Sequence, residues 1–132
     1  MMTGQCQCGA VRYEHSAAPR TIYICHCREC RKQSASAFGI SVEMPKDGMR
    51  ITQGAPQSWT RGTDTGRTLR CAFCPTCGSR LWHESEADWL TLKGGSLDQA
   101  DDVSNAIHIW TSRKLPGIVI PEDAEQYPGE PN

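Results

Sequence analysis

The chain has 132 residues, the span of one domain, and 38% of them are hydrophobic, a lean share for a core of that length. Fourteen basic residues stand against fifteen acidic ones, a formal net charge of −1, which leaves no electrostatic footprint for nucleic acid or an anionic membrane. Eight cysteines are the outlier: no apolar stretch approaches a membrane span and no apolar signal run follows Met1-Met2-Thr3, so a reducing, cytoplasmic setting is expected, in which metal explains the cysteines better than disulfides do.

Gly4 to Gly9 reads Gly-Gln-Cys-Gln-Cys-Gly. Cys6 and Cys8 are two apart, so on a strand they face one side, and Gly9 permits the turn that brings backbone N–H groups to the sulfurs. Val11-Arg12-Tyr13 alternates as a strand, and His15 to Pro19 reads as a loop with His15 exposed.

The chain is organised around Ile24-Cys25-His26-Cys27-Arg28-Glu29-Cys30-Arg31-Lys32, a C-x-C-x-x-C run. Thr21 to Ile24, β-branched and aromatic, predicts a strand; Arg28 to Ser36, free of Pro and Gly, predicts a short helix. Side chains two apart on a strand, or three apart on a helix, share a face. A strand that ends near Cys27 and turns into a helix therefore aims Cys25, Cys27 and Cys30 at one point. Three converging thiols suit zinc, and three protein ligands with an open position form the arrangement of catalytic zinc. Two alternatives stand beside this: a disulfide framework, which lacks secretory support, and a structural site completed by a distant ligand.

Phe38 to Met44 predicts a half-buried strand, Pro45 to Gly48 a turn, Met49 to Thr52 a short strand, and Gln57 to Arg61 a strand centred on Trp59. Asp64-Thr65-Gly66 matches the aspartic-protease triplet, but such enzymes need two facing aspartates, so a hairpin turn is expected. Thr68 to Phe73 predicts a strand that runs into Cys74-Pro75-Thr76-Cys77-Gly78, a zinc knuckle and half of a structural site. Cys6 and Cys8 are the pair available for its other half, which leaves Cys25, Cys27 and Cys30 as a separate set. Cys71 can substitute for Cys77 beside Cys74 but lacks the following glycine, and a buried small hydrophobe is the better reading.

Strands are expected at Leu81 to His83 and at Trp89 to Lys93, the latter stopped by Gly94-Gly95. Leu97 to Ser104 reads as a solvated polar loop, without the spacing of a calcium loop. Ala106 to Thr111 predicts a late strand with His108 and Trp110 on one face. The organisation expected is one mostly-β domain over residues 1–120, clamped by metal, and a polar surface tail over 121–132.

Gly4-x-Cys6-x-Cys8-Gly9-x-Val11-x-Tyr13, Cys25-His26-Cys27-x-x-Cys30-Arg31-Lys32, Phe73-Cys74-x-x-Cys77-Gly78 and His108-Ile109-Trp110, taken together and in this order, resemble the glutathione-dependent formaldehyde-activating family, which shares its domain with centromere protein V. The resemblance implies a β-tent fold of short antiparallel strands with one short helix and two zinc ions. By it, Cys6, Cys8, Cys74 and Cys77 hold structural zinc, and Cys25, Cys27 and Cys30 hold catalytic zinc. It also implies condensation of glutathione, or another small thiol, with formaldehyde or a related small aldehyde, a carbon–sulfur lyase reaction run in reverse. The pattern departs at the chain end, at Gly117 and at Glu122-Asp123-Ala124-Glu125, which bears on the substrate pocket more than on the metal.

Beside a zinc–trithiolate of formal charge −1, Arg28, Arg31 and Lys32 would soften the charge, or else form an ordinary solvated helix face. The helix N-terminus favours thiolate at Cys27 and Cys30. His26 is expected to be structural, and His108 and Trp110 to line the pocket or pack in the core. The competing class is a zinc-stabilised binding module, with no use for an open metal position, or a thiol carrier; a nucleic-acid zinc ribbon would want a basic face.

Overall fold

Short β-branched and aromatic runs, punctuated by Gly- and Pro-containing turns, give ten strands and one α-helix in the computed structural model, which describes residues 1–99 and 102–131. Strands β1 (Met2–Gln5), β2 (Arg12–His15) and β5 (Met49–Gln53) form a small antiparallel sheet in the order β1-β2-β5. A seven-stranded sheet comprises β3 (Thr21–Cys25), β4 (Gly39–Pro45), β6 (Gln57–Gly62), β7 (Thr68–Phe73), β8 (Arg80–Glu84), β9 (Trp89–Lys93) and β10 (Ile107–Ile109). Its order is β10-β3-β4-β9-β8-β7-β6. Helix α1 (Arg28–Ser34) is inserted between β3 and β4.

The fold is mostly β with one short helix, as the strand-rich pattern implies, but one pair departs from the antiparallel expectation. β10 pairs with β3 in parallel, Ile109 beside Cys25, because it reaches the sheet edge by a long connection rather than a hairpin. Residues 100 and 101, inside the expected polar loop at 97–104, lie outside the described residues. Among the described residues no helix is long and apolar enough to cross a membrane.

Alternation gives the large sheet two unlike faces. Val42, Met44, Leu90, Leu92 and Trp82 are buried with Val11, which precedes β2, and with Tyr13 of the small sheet, and Tyr13 meets Trp82 edge-on with ring centroids 5.5 Å apart. Directly paired residues share a face, so Tyr23 with Ser41, Ser41 with Lys93, and His83 with Thr91 belong to the opposite side.

Three expectations need correction. Cys6 and Cys8 do not sit on a strand: β1 ends at Gln5, and they occupy the turn that follows. His15 is not an exposed loop residue but the last residue of β2 and fully buried. The register that pairs His15 with Met49 carries β2 beyond the stretch whose alternation is visible. The Pro45 carbonyl can only accept, so His15 Nε2–H donates to it at 2.8 Å, while Nδ1 accepts from the Ala17 N–H at 3.0 Å. Trp110 does not share a strand face with His108, because β10 ends at Ile109 and Trp110 turns into the left-handed region at φ 55°.

The stretch 121–131 runs beside β10. The His108 N–H donates to the Glu125 carbonyl at 2.9 Å, the Tyr127 N–H to His108 at 2.9 Å, and the Trp110 N–H to Gly129 at 3.0 Å. Tyr127 packs against the cluster of Cys25, Cys30 and Ile109.

His15→Leu keeps the volume but strands the Pro45 carbonyl and the Ala17 N–H. The variant is expected to lose roughly 2–4 kcal/mol in urea unfolding, the cost of leaving buried polar groups unpaired. An unchanged midpoint would show that neither bond matters to stability.

Candidate functional site: two cysteine clusters and a cavity

All eight cysteines are free thiols, and seven of them fall into two groups. Cys6, Cys8, Cys74 and Cys77 bring their sulfurs within 4.8 Å of one another. The group is built from two similar turns. Cys6 N–H donates to the Val11 carbonyl at 3.1 Å and Cys74 N–H to Ser79 at 3.0 Å, each closing a loop over its own cysteine. Backbone N–H groups then reach the sulfurs, Val11 to Cys6 at 3.3 Å and Thr76 to Cys74 at 3.4 Å. Gly78 sits at φ 80°, where a side chain would be strained. The Cys6–Cys8 and Cys8–Cys74 sulfur separations are 3.6 and 3.8 Å. A tetrahedral site with metal–sulfur bonds of ~2.3 Å has sulfur–sulfur edges of about 3.8 Å, so this donor set fits zinc with no position left over.

The second group is Cys25, Cys27 and Cys30, again within 4.8 Å. Cys25 ends β3, and Cys27, at φ −69° and ψ 162°, is the cap residue of α1. Its sulfur accepts the Cys30 N–H at 3.3 Å, which ties the strand end to the first helical turn. Gly39 lets the helix close on the sheet: a Cβ there would lie 3.3 Å from Cys30 Cβ. Hydrogen bonds from the Cys25 and Cys30 thiols, with backbone N–H groups of Cys30 and Glu29, pull the Cys27 thiol down to about 2. The same crowding, and burial, push Cys25 up; Cys30 also rises, its bond to Cys25 outweighed by the Cys27 thiolate and burial. Such mutual suppression is what a bound cation relieves, so the trio is a donor set that can hold a metal with one position free.

The two groups differ in access. The trio lies in the wall of a cavity of about 690 Å³, roofed by α1, the 63–67 hairpin and the chain end; none of the four clustered cysteines lines it. The Asp64-Thr65-Gly66 triplet is indeed a hairpin tip, with Thr63 N–H donating to the Arg67 carbonyl at 2.8 Å, and it overhangs this cavity. Of the helix cations, only Arg28 lines the cavity; it also borders, with Arg31, Lys32 and Ala35, a separate shallow depression. Trp110 lines the cavity and donates from Nε1 to Glu130 at 3.1 Å. His108 turns instead to His26, Nδ1 to Nε2 at 3.0 Å, and burial holds both imidazoles below their usual range. Cys71 is fully buried and belongs to neither group.

Sequence reasoning missed the polar wall. Ser41, Thr91 and His83 line the cavity from three successive strands, and Lys93 shares their sheet face. Burial, followed by Lys93, Arg61, Arg80 and Arg67, pulls His83 down to about 2, so it stays a neutral imidazole. Burial also lowers Lys93, against the pull of Cys30 and Cys25. Alternation in β8 and β9 was visible, but which side faced a cavity depends on register.

A family model described as glutathione-dependent formaldehyde-activating enzyme matches residues 1–113. Among solved structures, a crystal structure of a Rhodobacter sphaeroides protein superposes with a TM-score of 0.64 at 23% identity, covering 81% of this chain and 99% of that one; at that identity the likeness is one of fold.

The contrast in access generates a paired expectation. Cys74→Ser, in the closed group, should abolish cooperative thermal unfolding, because metal binding at such sites is folding energy. Cys27→Ser, at the cavity, should change stability by no more than about 1 kcal/mol while removing the weaker of about two bound ions per chain. Elemental analysis with circular dichroism melts checks both; equal unfolding of the two variants would make the trio structural.

Proposed function

The chain belongs to the glutathione-dependent formaldehyde-activating enzyme family, and we propose that it is a zinc-dependent enzyme of the carbon–sulfur lyase type, joining glutathione or a similar small thiol to formaldehyde or a related small aldehyde. The observation that carries this reading is the placement of Cys25, Cys27 and Cys30 in the wall of a cavity of about 690 Å³. Cys6, Cys8, Cys74 and Cys77 would hold the second, structural ion away from that cavity. The open site's zinc would supply Lewis acidity, lowering the pKa of a substrate thiol into the neutral range.

The reaction balances without redox: a carbon–sulfur bond forms, the carbonyl π bond breaks, and the proton leaving sulfur ends on the new hydroxyl. The chain's own residues set the stage for it. Cys25 and Cys30 are buried, and Tyr23, Ile109 and Trp110 form an apolar flank that excludes water beside them. Ser41, next in register to Gly39 on the same face of β4, offers a hydroxyl to the developing alkoxide. Arg28, Arg61, Arg67 and Arg113 line the cavity, and among the described residues none of them forms an ion pair. They suit a thiol that carries carboxylates, as glutathione does.

Cobalt in place of zinc reports sulfur ligation. Glutathione added to the cobalt-loaded chain is expected to raise the sulfur-to-metal charge-transfer absorption, and Cys27→Ser to abolish the rise. The zinc-loaded chain should then form S-hydroxymethylglutathione faster than the uncatalysed mixture, and Cys27→Ser should fall to the uncatalysed rate. A spectral response without acceleration would leave a thiol carrier, and no response to any thiol would leave a zinc-stabilised binding module.

A further inference from the structure

The large sheet carries a lysine beneath the three-cysteine group. Cys25 pairs with Gly39 and Tyr23 with Ser41 across β3 and β4, and Ser41 pairs with Lys93 across β4 and β9, so Lys93 shares the sheet face of Cys25. Helix α1 closes over that face through the contact of Gly39 with Cys30. Lys93 is 9% exposed, and its Nζ is buried with no hydrogen-bond partner among the described residues. It forms no ion pair with a carboxylate there either. Burial and Arg80 act against its charge, and the groups that favour the charge are all sulfurs: Cys30, Cys25 and Cys71.

A buried ammonium without a partner is strongly unfavourable, and a side chain as mobile as lysine would reach solvent if nothing held it. A divalent cation on three thiolates supplies the missing partner, since the group carries a formal charge of −1. Arg28 and Lys32 cannot do this equally well, because exposed charges are screened by salt and water and Lys93 is not, while the half-buried Arg31, whose Nε is also unpartnered among the described residues, borders the depression outside the cavity.

We propose that Lys93 is the counter-charge of the three-cysteine metal site: its buried ammonium offsets the metal–trithiolate group from within the sheet and thereby sets how tightly that site holds its cation and how readily it accepts a further anionic sulfur. Lys93 is absent from the residues that line the cavity, so it acts through Cys25 and Cys30 as a positioning residue. The proposal rests on the reading of the trio as an open metal site.

The test uses the full chain with Lys93→Met and Lys93→Gln, one apolar and one polar neutral replacement, and Lys93→Arg to restore the charge. Cobalt and zinc affinities of both sites are measured by competition with a chromophoric chelator, and the cobalt spectrum is titrated with glutathione. The expected result is a weakening of the weaker ion by about ten- to a hundredfold in the Met and Gln variants, the size of effect typical of groups that support metal ligands. The tighter ion and the melting temperature should be unchanged, the glutathione response should shift to higher concentration, and the Arg variant should recover part of the affinity. Native affinity and thiol response in both neutral variants would overturn the proposal while leaving the metal reading intact. Loss of the tighter ion or of cooperative melting in both would also overturn it, making Lys93 a structural member of the sheet. A native chain that binds a single ion would overturn the metal reading and the proposal together.

Discussion

Sulfur crowding is the constraint on which the rest depends. Each of seven thiols has its cluster-mates within 4.8 Å, and two unit charges at ~4 Å repel by about 1 kcal/mol in water and about 4 kcal/mol at an effective dielectric of 20. The groups therefore do not all ionise by themselves: hydrogen bonds from Cys25 and Cys30 hold Cys27 down at about 2, and the bond to Cys27 drives Cys25 up. A cation removes the conflict, and the backbone is arranged as though to receive one. Amide N–H groups from Val11, Thr76 and Cys30 already point at Cys6, Cys74 and Cys27.

The way each group is assembled decides what it can do. Cys6, Cys8, Cys74 and Cys77 join two distant turns, and Cys6 and Cys74 lie in the same apolar cluster as Tyr13 and Trp82. Closing those sulfurs on an ion therefore also closes the small sheet on the large one. Cys25, Cys27 and Cys30 come from one local junction of β3 with α1, already held by the Cys27 cap and by Gly39 beneath Cys30. A junction that is made without the ion can leave a coordination position free; one that is made by the ion cannot.

How much was legible in the chain follows from the range of the interactions. Apart from β1, which the pattern did not mark, the strands, the short helix and the hairpin at 64–66 rest on local alternation and turn chemistry, and they stand where that pattern puts them to within a residue or two. The grouping of Cys25, Cys27 and Cys30 is also local, because the strand–helix junction alone brings them together. Pairing Cys6 and Cys8 with Cys74 and Cys77 is long-range, yet the doublets left few partners to choose from. His15, Lys93 and the parallel placement of β10 were not legible, since each depends on which strand lies beside which, a property of tertiary register that no window of sequence contains. Trp110 was misplaced for a different reason: one residue at φ 55° ends the alternation that the pattern would have continued.

The two faces of the large sheet divide the labour. On the inner face Val42, Met44, Leu90 and Leu92 are packed apolar residues, where a cavity would be destabilising. On the outer face the same strands carry Ser41, Thr91 and Lys93, and the neighbouring β8 carries His83, whose polar atoms would be costly if apolar elements covered them tightly. A seven-residue helix cannot cover a face that wide, so the 63–67 hairpin and the chain end complete the roof and leave a cavity between. The chain end is held to β10 by backbone bonds and by Tyr127 against the Cys25 and Cys30 cluster. The boundary of the candidate site thus includes a segment that composition alone marks as a surface tail.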